Sequence, residues 1–204
     1  MTRLNKFCLL LLASALQFGC GPAENLFMRD YIRYLNSEQC PLYSSKTQDK
    51  IKFECRLQTE DLITLLSAGP NFETTKAFEA EKAEHAGQLN VVFIISDEIA
   101  KEHQVKERIF DKKLYSSMLS YANTELQYDF NLQLENGDVV PCNLVHLEAA
   151  NSVKPVIRIT AAFNCSGAKL EGCSLMFDDK LFNTGRMKFY YAADVFKDLP
   201  KLKI

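Results

Sequence analysis

The sequence predicts a mainly β, antiparallel fold: a β-sandwich of immunoglobulin-like or Greek-key type, with a few short helices in its N-terminal half. Three observations carry this. Ile51, Phe53, Cys55 and Leu57 alternate with Lys52, Glu54 and Arg56, the period-two pattern of a half-buried strand. Leu126, Tyr128, Phe130, Leu132 and Leu134 alternate in the same way and run into Asn136-Gly137, a preferred hairpin turn. Beyond Pro155, the runs VIRITAAF, CSLMFDD and RMKFYYA are of strand length and separated by Gly and Asn. Because the helical patterns gather in the first half, an α+β fold is the alternative.

The chain opens with Arg3 and Lys6, then an apolar run from Phe7 to Phe18 broken only by Ser14 and Gln17, ending at Gly19-Cys20. That is a secretory signal. A spanning helix needs about 20 apolar residues, and Gly21-Pro22 does not continue a helix. Ala13-Ser14-Ala15 fits ordinary signal cleavage. Gly19-Cys20 resembles the end of the lipobox of uncharacterised bacterial lipoproteins, with Gln17 and Phe18 standing where the usual lipobox has Leu and a small residue. The resemblance, to a relaxed form of the motif, is limited to the N-terminus and concerns address, not activity. It implies that residues 1–19 are a removed signal peptide, that Cys20 is lipidated, and that the protein is held in the bacterial cell envelope. The outer membrane is the expected location, with a periplasmic or secreted protein as the alternative.

The domain reading is then a signal peptide over 1–19, a lipidated tether and short helix over 20–46, and one globular β-rich domain over 47–204. Leu26, Phe27, Tyr31, Tyr34 and Leu35 stand near helical spacing. Thr59 is a suitable N-cap for a helix opening with Glu60 and Asp61 and stopping at Gly69-Pro70. ETTKAFEAEKAEHAG predicts a largely exposed helix with Gly87 beyond its end, and LNVVFIIS a strand buried on both faces. Residues 97–103 and 111–122 read as helical, with Leu114, Met118 and Tyr121 on one face.

A two-residue loop at Asn136-Gly137 would set Leu134 opposite Val139, Asn131 opposite Cys142 and Gln127 opposite His146. Val139, Val145 and Leu147 would then face the core, and Val140, Cys142, Leu144 and His146 the other side. Pro141 removes a ladder donor and marks an edge or a bulge. In the last strands Ile157, Ile159, Ala161, Phe163, Met187, Phe189 and Tyr191 are expected inward.

Loss of residues 1–19 removes Arg3 and Lys6 and no acidic residue, so the mature chain carries 22 Lys+Arg against 26 Asp+Glu, a formal charge of −4. With no basic tail or polybasic block, composition argues against nucleic acid and against electrostatic attachment to an anionic surface. Fourteen Phe and eight Tyr in the chain supply a core. An exported chain permits disulfides; the expected pairs are Cys165 with Cys173 and Cys40 with Cys55. No CxxC or other spaced ligand set points to a metal, and no motif points to a cofactor.

Common catalytic patterns are absent: there is no GxSxG, P-loop or GxGxxG. His85 and His103 sit in charged stretches that a solvated helix face explains. His146 and Glu148 project to one side of a strand and form the candidate surface site. Cys142 is four residues from His146, about 13 Å along a strand, too far for a nucleophile–base pair. Glu60-Asp61, Asp97-Glu98 and Asp178-Asp179 fit helix starts and turn chemistry better than paired catalytic carboxylates. The N-terminal resemblance, together with the lack of an evident catalytic site, implies a membrane-tethered, extracytoplasmic binding or envelope-interaction module whose partner is a membrane through the lipid, and an envelope protein or glycan. The alternatives are an exported hydrolase built on His146 and distant carboxylates, and a soluble secreted disulfide-containing protein.

Overall fold

Residues that alternate apolar and polar side chains form the strands of a single antiparallel sheet. The computed structural model of the protein describes residues 25–69, 72–97, 112–148, 156–167 and 171–204. The signal segment, Cys20 and the helix expected over 97–103 lie outside the described residues, apart from Asp97.

In chain order the elements are β1 (Leu26–Phe27), α1 (Met28–Leu35), β2 (Tyr43–Gln48), β3 (Ile51–Gln58), α2 (Glu60–Ala68), α3 (Thr75–Ala83), β4 (Gln88–Asp97) and α4 (Lys112–Thr124). A 3-10 turn at Leu126–Asp129 leads into β5 (Phe130–Leu134), β6 (Val139–Leu147), β7 (Val156–Asn164), β8 (Cys173–Asp179), β9 (Gly185–Tyr191), α5 (Ala193–Lys197) and β10 (Leu202–Lys203). The main sheet has eight strands in the order β2-β3-β4-β7-β6-β5-β8-β9. The mainly β, antiparallel expectation is met, but the strands make one sheet curled nearly into a barrel rather than two separate stacked sheets.

The barrel interior is filled. Ile51, Phe53, Cys55 and Leu57 of β3, and Ile157, Ile159, Ala161 and Phe163 of β7, are buried as their alternation requires, as are Met187, Phe189 and Tyr191 of β9. Phe93 stands at the centre, with ring centroids 4.7 Å from Phe177, 5.4 Å from Phe130, 5.6 Å from Phe189 and 6.1 Å from Phe53. Since these rings come from β3, β4, β5, β8 and β9, their contacts curl the sheet on itself.

Side chains join its two ends. Gln48 Nε2 donates to the Thr184 carbonyl, the Lys46 ammonium lies 5.7 Å from the Phe189 ring centroid, and the Tyr191 hydroxyl donates to the Cys55 carbonyl at 3.2 Å. Ser44, Lys46 and Gln48 pair with the inward residues Cys55, Phe53 and Ile51. Polar side chains thus occupy the core-side positions of an edge strand, which guards that edge against pairing with another chain. The β2–β3 turn holds both central residues in the left-handed region, Asp49 at φ 51° and Lys50 at φ 68°. Replacing Lys50 with glycine is expected to raise stability by about 1 kcal/mol, seen as a higher denaturation midpoint, because glycine adopts this conformation without a Cβ penalty.

The β5–β6 hairpin corrects the expected register by one residue. Leu132 pairs with Val140 and Asn131 with Pro141, and Leu134 N–H donates to the Asp138 carbonyl at 2.8 Å. The loop therefore has three residues, Glu135-Asn136-Gly137, with Gly137 at φ 92° in the left-handed position such loops require. The slip turns Val140 and Cys142 inward and leaves Val139 outside, 59% exposed. At Asn143, next to Pro141, a bulge shifts the β6–β7 pairing between Cys142 and Leu144 and restores the expected faces beyond it. Val145 and Leu147 accordingly point inward, while Leu144 and His146 point out. Residues 126–129, expected as strand, form the 3-10 turn, and His146 faces Thr160 of β7 rather than Gln127.

Asp179, expected as turn chemistry, organises the β8–β9 loop from a buried position. Its carboxylate accepts from Leu181 N, Phe182 N, Thr184 N and the Thr184 hydroxyl, the last at 2.6 Å. Asp129 is buried too, 2.6 Å from the Lys180 ammonium. Burial pushes its carboxyl above the usual value and the lysine only partly offsets this. Lys180, remaining in solvent, is held above its ordinary value by the carboxylate, since it loses little hydration. A carboxyl with a raised folded-state pKa favours folding below the ordinary value and loses that contribution as pH rises through the raised one. Stability measured against pH should therefore fall less over that window in Asp129→Asn than in the parent.

The expected disulfides are corrected: Cys40, Cys55, Cys142, Cys165 and Cys173 are all free thiols. Cys165 follows β7 and Cys173 opens β8, and although the curl of the sheet brings the two thiols near enough to influence each other, they are not bonded. Cys40 lies in the turn after α1, where Tyr43 N bonds its carbonyl at 2.9 Å, whereas Cys55 points into the barrel beneath Tyr191. These thiols fill space as small hydrophobes. Burial pushes Cys55 and Cys173 up to about 12, and the others also rise. Native alkylation followed by mass spectrometry should modify half-buried Cys142 first, and the other four only on unfolding.

Candidate functional site

α1, α2, α3 and α5 gather at one end of the barrel with a cleft among them, whereas α4 packs against β6 and the 3-10 turn. β3 delivers Thr59, whose backbone turns into α2 with Glu60 and Asp61 in the first turn. Opposite it, α3 begins at Thr74, which accepts from Ala77 N at 3.2 Å, and is fixed by Phe78 packed edge-on to Phe72. Lys82 in the last turn of α3 thereby reaches Asp61, 2.7 Å from Oδ1. From α1, the buried Tyr31 hydroxyl donates to Asp61 Oδ2 at 3.3 Å. Glu60 turns the other way, where its Oε1 accepts from Gly87 N at 2.7 Å.

Thr59, Glu60, Asp61, Lys82 and Gly87, with Gln88, Leu89, Cys165 and Phe196, line a cavity of about 240 Å³. Thr59, Asp61, Lys82 and Phe196 also line a broader groove of about 720 Å³ that runs along the C-terminal segment to Lys203. The aromatic and aliphatic walls come from Phe78, Phe196 and Leu199. The cleft thus sets the polar Thr59, Glu60, Asp61, Lys82 and Gln88 against the apolar Leu89, Cys165 and Phe196.

Electrostatics fix the protonation of its donors. Burial, then the neighbouring Asp61 carboxylate, raises the Tyr31 phenol well above its ordinary value, so it remains a neutral donor. Burial works against the Lys82 ammonium, but Asp61 more than compensates and holds it above the ordinary lysine value. The Cys165 thiol is raised by burial. None of these three is shifted toward a base or nucleophile at neutral pH. What the cleft supplies is a fixed set of donors and acceptors beside an apolar wall.

The residues singled out from sequence are placed elsewhere. His146 is exposed on the outer face of β6, and Glu148 follows at the strand's end, paired with Arg158 Nε at 2.9 Å. That end of the barrel is opposite the cleft. Cys142 lies inward, its sulfur 3.2 Å from the Leu144 carbonyl, so it and His146 are on different faces. Near His146 the outer face of β6 is apolar, with Leu144 63% exposed. His85, read as solvated, is half-buried and bridges α2 to β4, with Nε2 3.0 Å from Ser67 Oγ and Nδ1 3.2 Å from Gln88 Oε1. Cys20 lies outside the described residues. Among the described residues no His, Cys, Asp and Glu group is arranged to hold a metal ion, and no helix is long and apolar enough to cross a membrane.

Comparison with protein-family models, with curated protein sequences and with solved structures returns no match.

Proposed function

We propose that the protein is a membrane-tethered extracytoplasmic binding module, exported by residues 1–19 and held to the envelope by lipid on Cys20, and that the cleft is its binding site. The observation that carries the reading is where the tether joins the fold. Leu26 pairs with Leu202, and Phe27 with Lys203, in a short parallel sheet, and Leu26 N–H donates to the Lys201 carbonyl at 2.9 Å. Lys201, Leu202 and Lys203 also line the groove. The anchored end of the domain and the cleft are therefore one end, which suits a module working close to the envelope surface. Binding is favoured over hydrolysis because His146 is exposed on the outer face of β6 and Glu148 is paired with Arg158, away from the carboxylates of the cleft.

Intact mass of the protein extracted from its native membranes tests the anchor. The expected result is a chain starting at Cys20 and carrying a diacylglyceryl group. An unmodified chain starting near Leu16 overturns it.

A further inference from the structure

We infer that the lysine-bearing rim of the cleft is a second membrane contact, docking against an anionic lipid bilayer; this rests on the anchored reading above. In sequence the cations of this end are dispersed. In the fold Lys197 of α5 and Lys201 and Lys203 of the β10 segment are all exposed and all line the same groove.

Period-two alternation sends Leu202 and Ile204 onto the core and leaves Lys201 and Lys203 outward. The Lys203 ammonium lies 4.7 Å from the centroid of the Phe27 ring, itself 59% exposed. An exposed aromatic ring beside flexible ammonium groups is the chemistry of the lipid–water boundary, where the ring enters the headgroup layer and the amines meet phosphate. Four carboxylates stand near this rim. Asp61 is taken by Lys82, Glu79 stands across the groove, and Asp194 and Asp198 belong to α5 and the residue after it.

Reach supports the same occupant. Five residues separate Cys20 from Leu26, and even fully extended the six steps between them span at most about 22 Å. Since Leu26 and Phe27 are hydrogen-bonded neighbours of Leu202 and Lys203, a chain lipidated at Cys20 cannot carry its lysine rim much farther than that from the bilayer. Over the last 8–10 Å or so, roughly a Debye length, an anionic surface attracts those lysines directly.

The test uses the full mature protein reconstituted into vesicles of phosphatidylcholine alone or mixed with phosphatidylglycerol, with lysine acetylation read by mass spectrometry. Labelling of Lys197, Lys201 and Lys203 should fall about fivefold in the anionic vesicles and recover in high salt, while Lys50 at the far end and Lys188 on the sheet stay constant. Equal labelling of the rim in both vesicles overturns the inference and leaves the anchor standing. The same mass spectrum reports whether Cys20 is lipidated. If it is not, flotation with phosphatidylglycerol vesicles decides: salt-sensitive flotation, reduced at least about tenfold by joint Lys197→Glu, Lys201→Glu and Lys203→Glu substitution, upholds the surface without the anchor. Absence of flotation overturns the surface.

Discussion

Phe93→Ala is expected to cost about 3–5 kcal/mol, a large part of the stability of a domain this size. The ring is fully buried and contacts rings from four other inner-face positions, Phe53, Phe130, Phe177 and Phe189. Removing it takes away burial and opens a void that the stiff strands around it are poorly placed to collapse. It also removes the ring that links Phe53 of β3 to Phe130, Phe177 and Phe189 of β5, β8 and β9. Denaturant unfolding measures the loss, and Phe93→Leu should recover much of it by restoring volume. A cost below about 1 kcal/mol would mean that the barrel interior is not packed around this ring.

Gly87→Ala should be comparably severe, roughly 3 kcal/mol or more, lowering the melting midpoint by about 10 °C. Gly87 has φ 75°, and an added Cβ would lie 2.5 Å from Ser166 Oγ, 2.7 Å from its Cα and 2.8 Å from its nitrogen. Backbone must therefore move on one side or the other. Movement strains two short bonds, Cys165 N to the Gly87 carbonyl and Gly87 N to Glu60, both 2.7 Å. Gly137→Ala is the control: it shares a positive φ of 92° but meets open space, so it should lose only about 1 kcal/mol. If the two variants prove equal, the close approach of Ser166 contributes nothing. Because Gly87 and Glu60 line the cleft, any folded Gly87→Ala protein should also have an altered site.

Most strands of this fold are legible because one face of each is apolar. β3, β7 and β9 present the alternation that burial demands, and the structure buries the residues it marks. β2 escapes notice for the same reason: SSKTQ at a sheet edge has no apolar face to display. At the Asn136-Gly137 hairpin the turn residues are visible but the loop length is not. Two- and three-residue loops both accept glycine, and the choice between them decides whether Val139 or Val140 enters the core. The disulfide expectation failed because cysteine spacing carries no information on whether side chains meet, and here the thiols serve as packing. The cleft was the least legible part. Tyr31, Asp61 and Lys82 each had an adequate local explanation as core residue, helix start and helix face, and only folding brings the three together.

The pairing of β1 with β10 also dictates the order in which the structure can be completed. Leu26 and Leu202 lie near opposite ends of the chain, so their contact carries the longest loop-closure cost of any strand pair in the fold. The barrel strands can associate beforehand, but the wall that β10 gives the groove appears only when Leu202 and Lys203 have paired with Leu26 and Phe27, so a chain cut before β10 would have a core without a finished site.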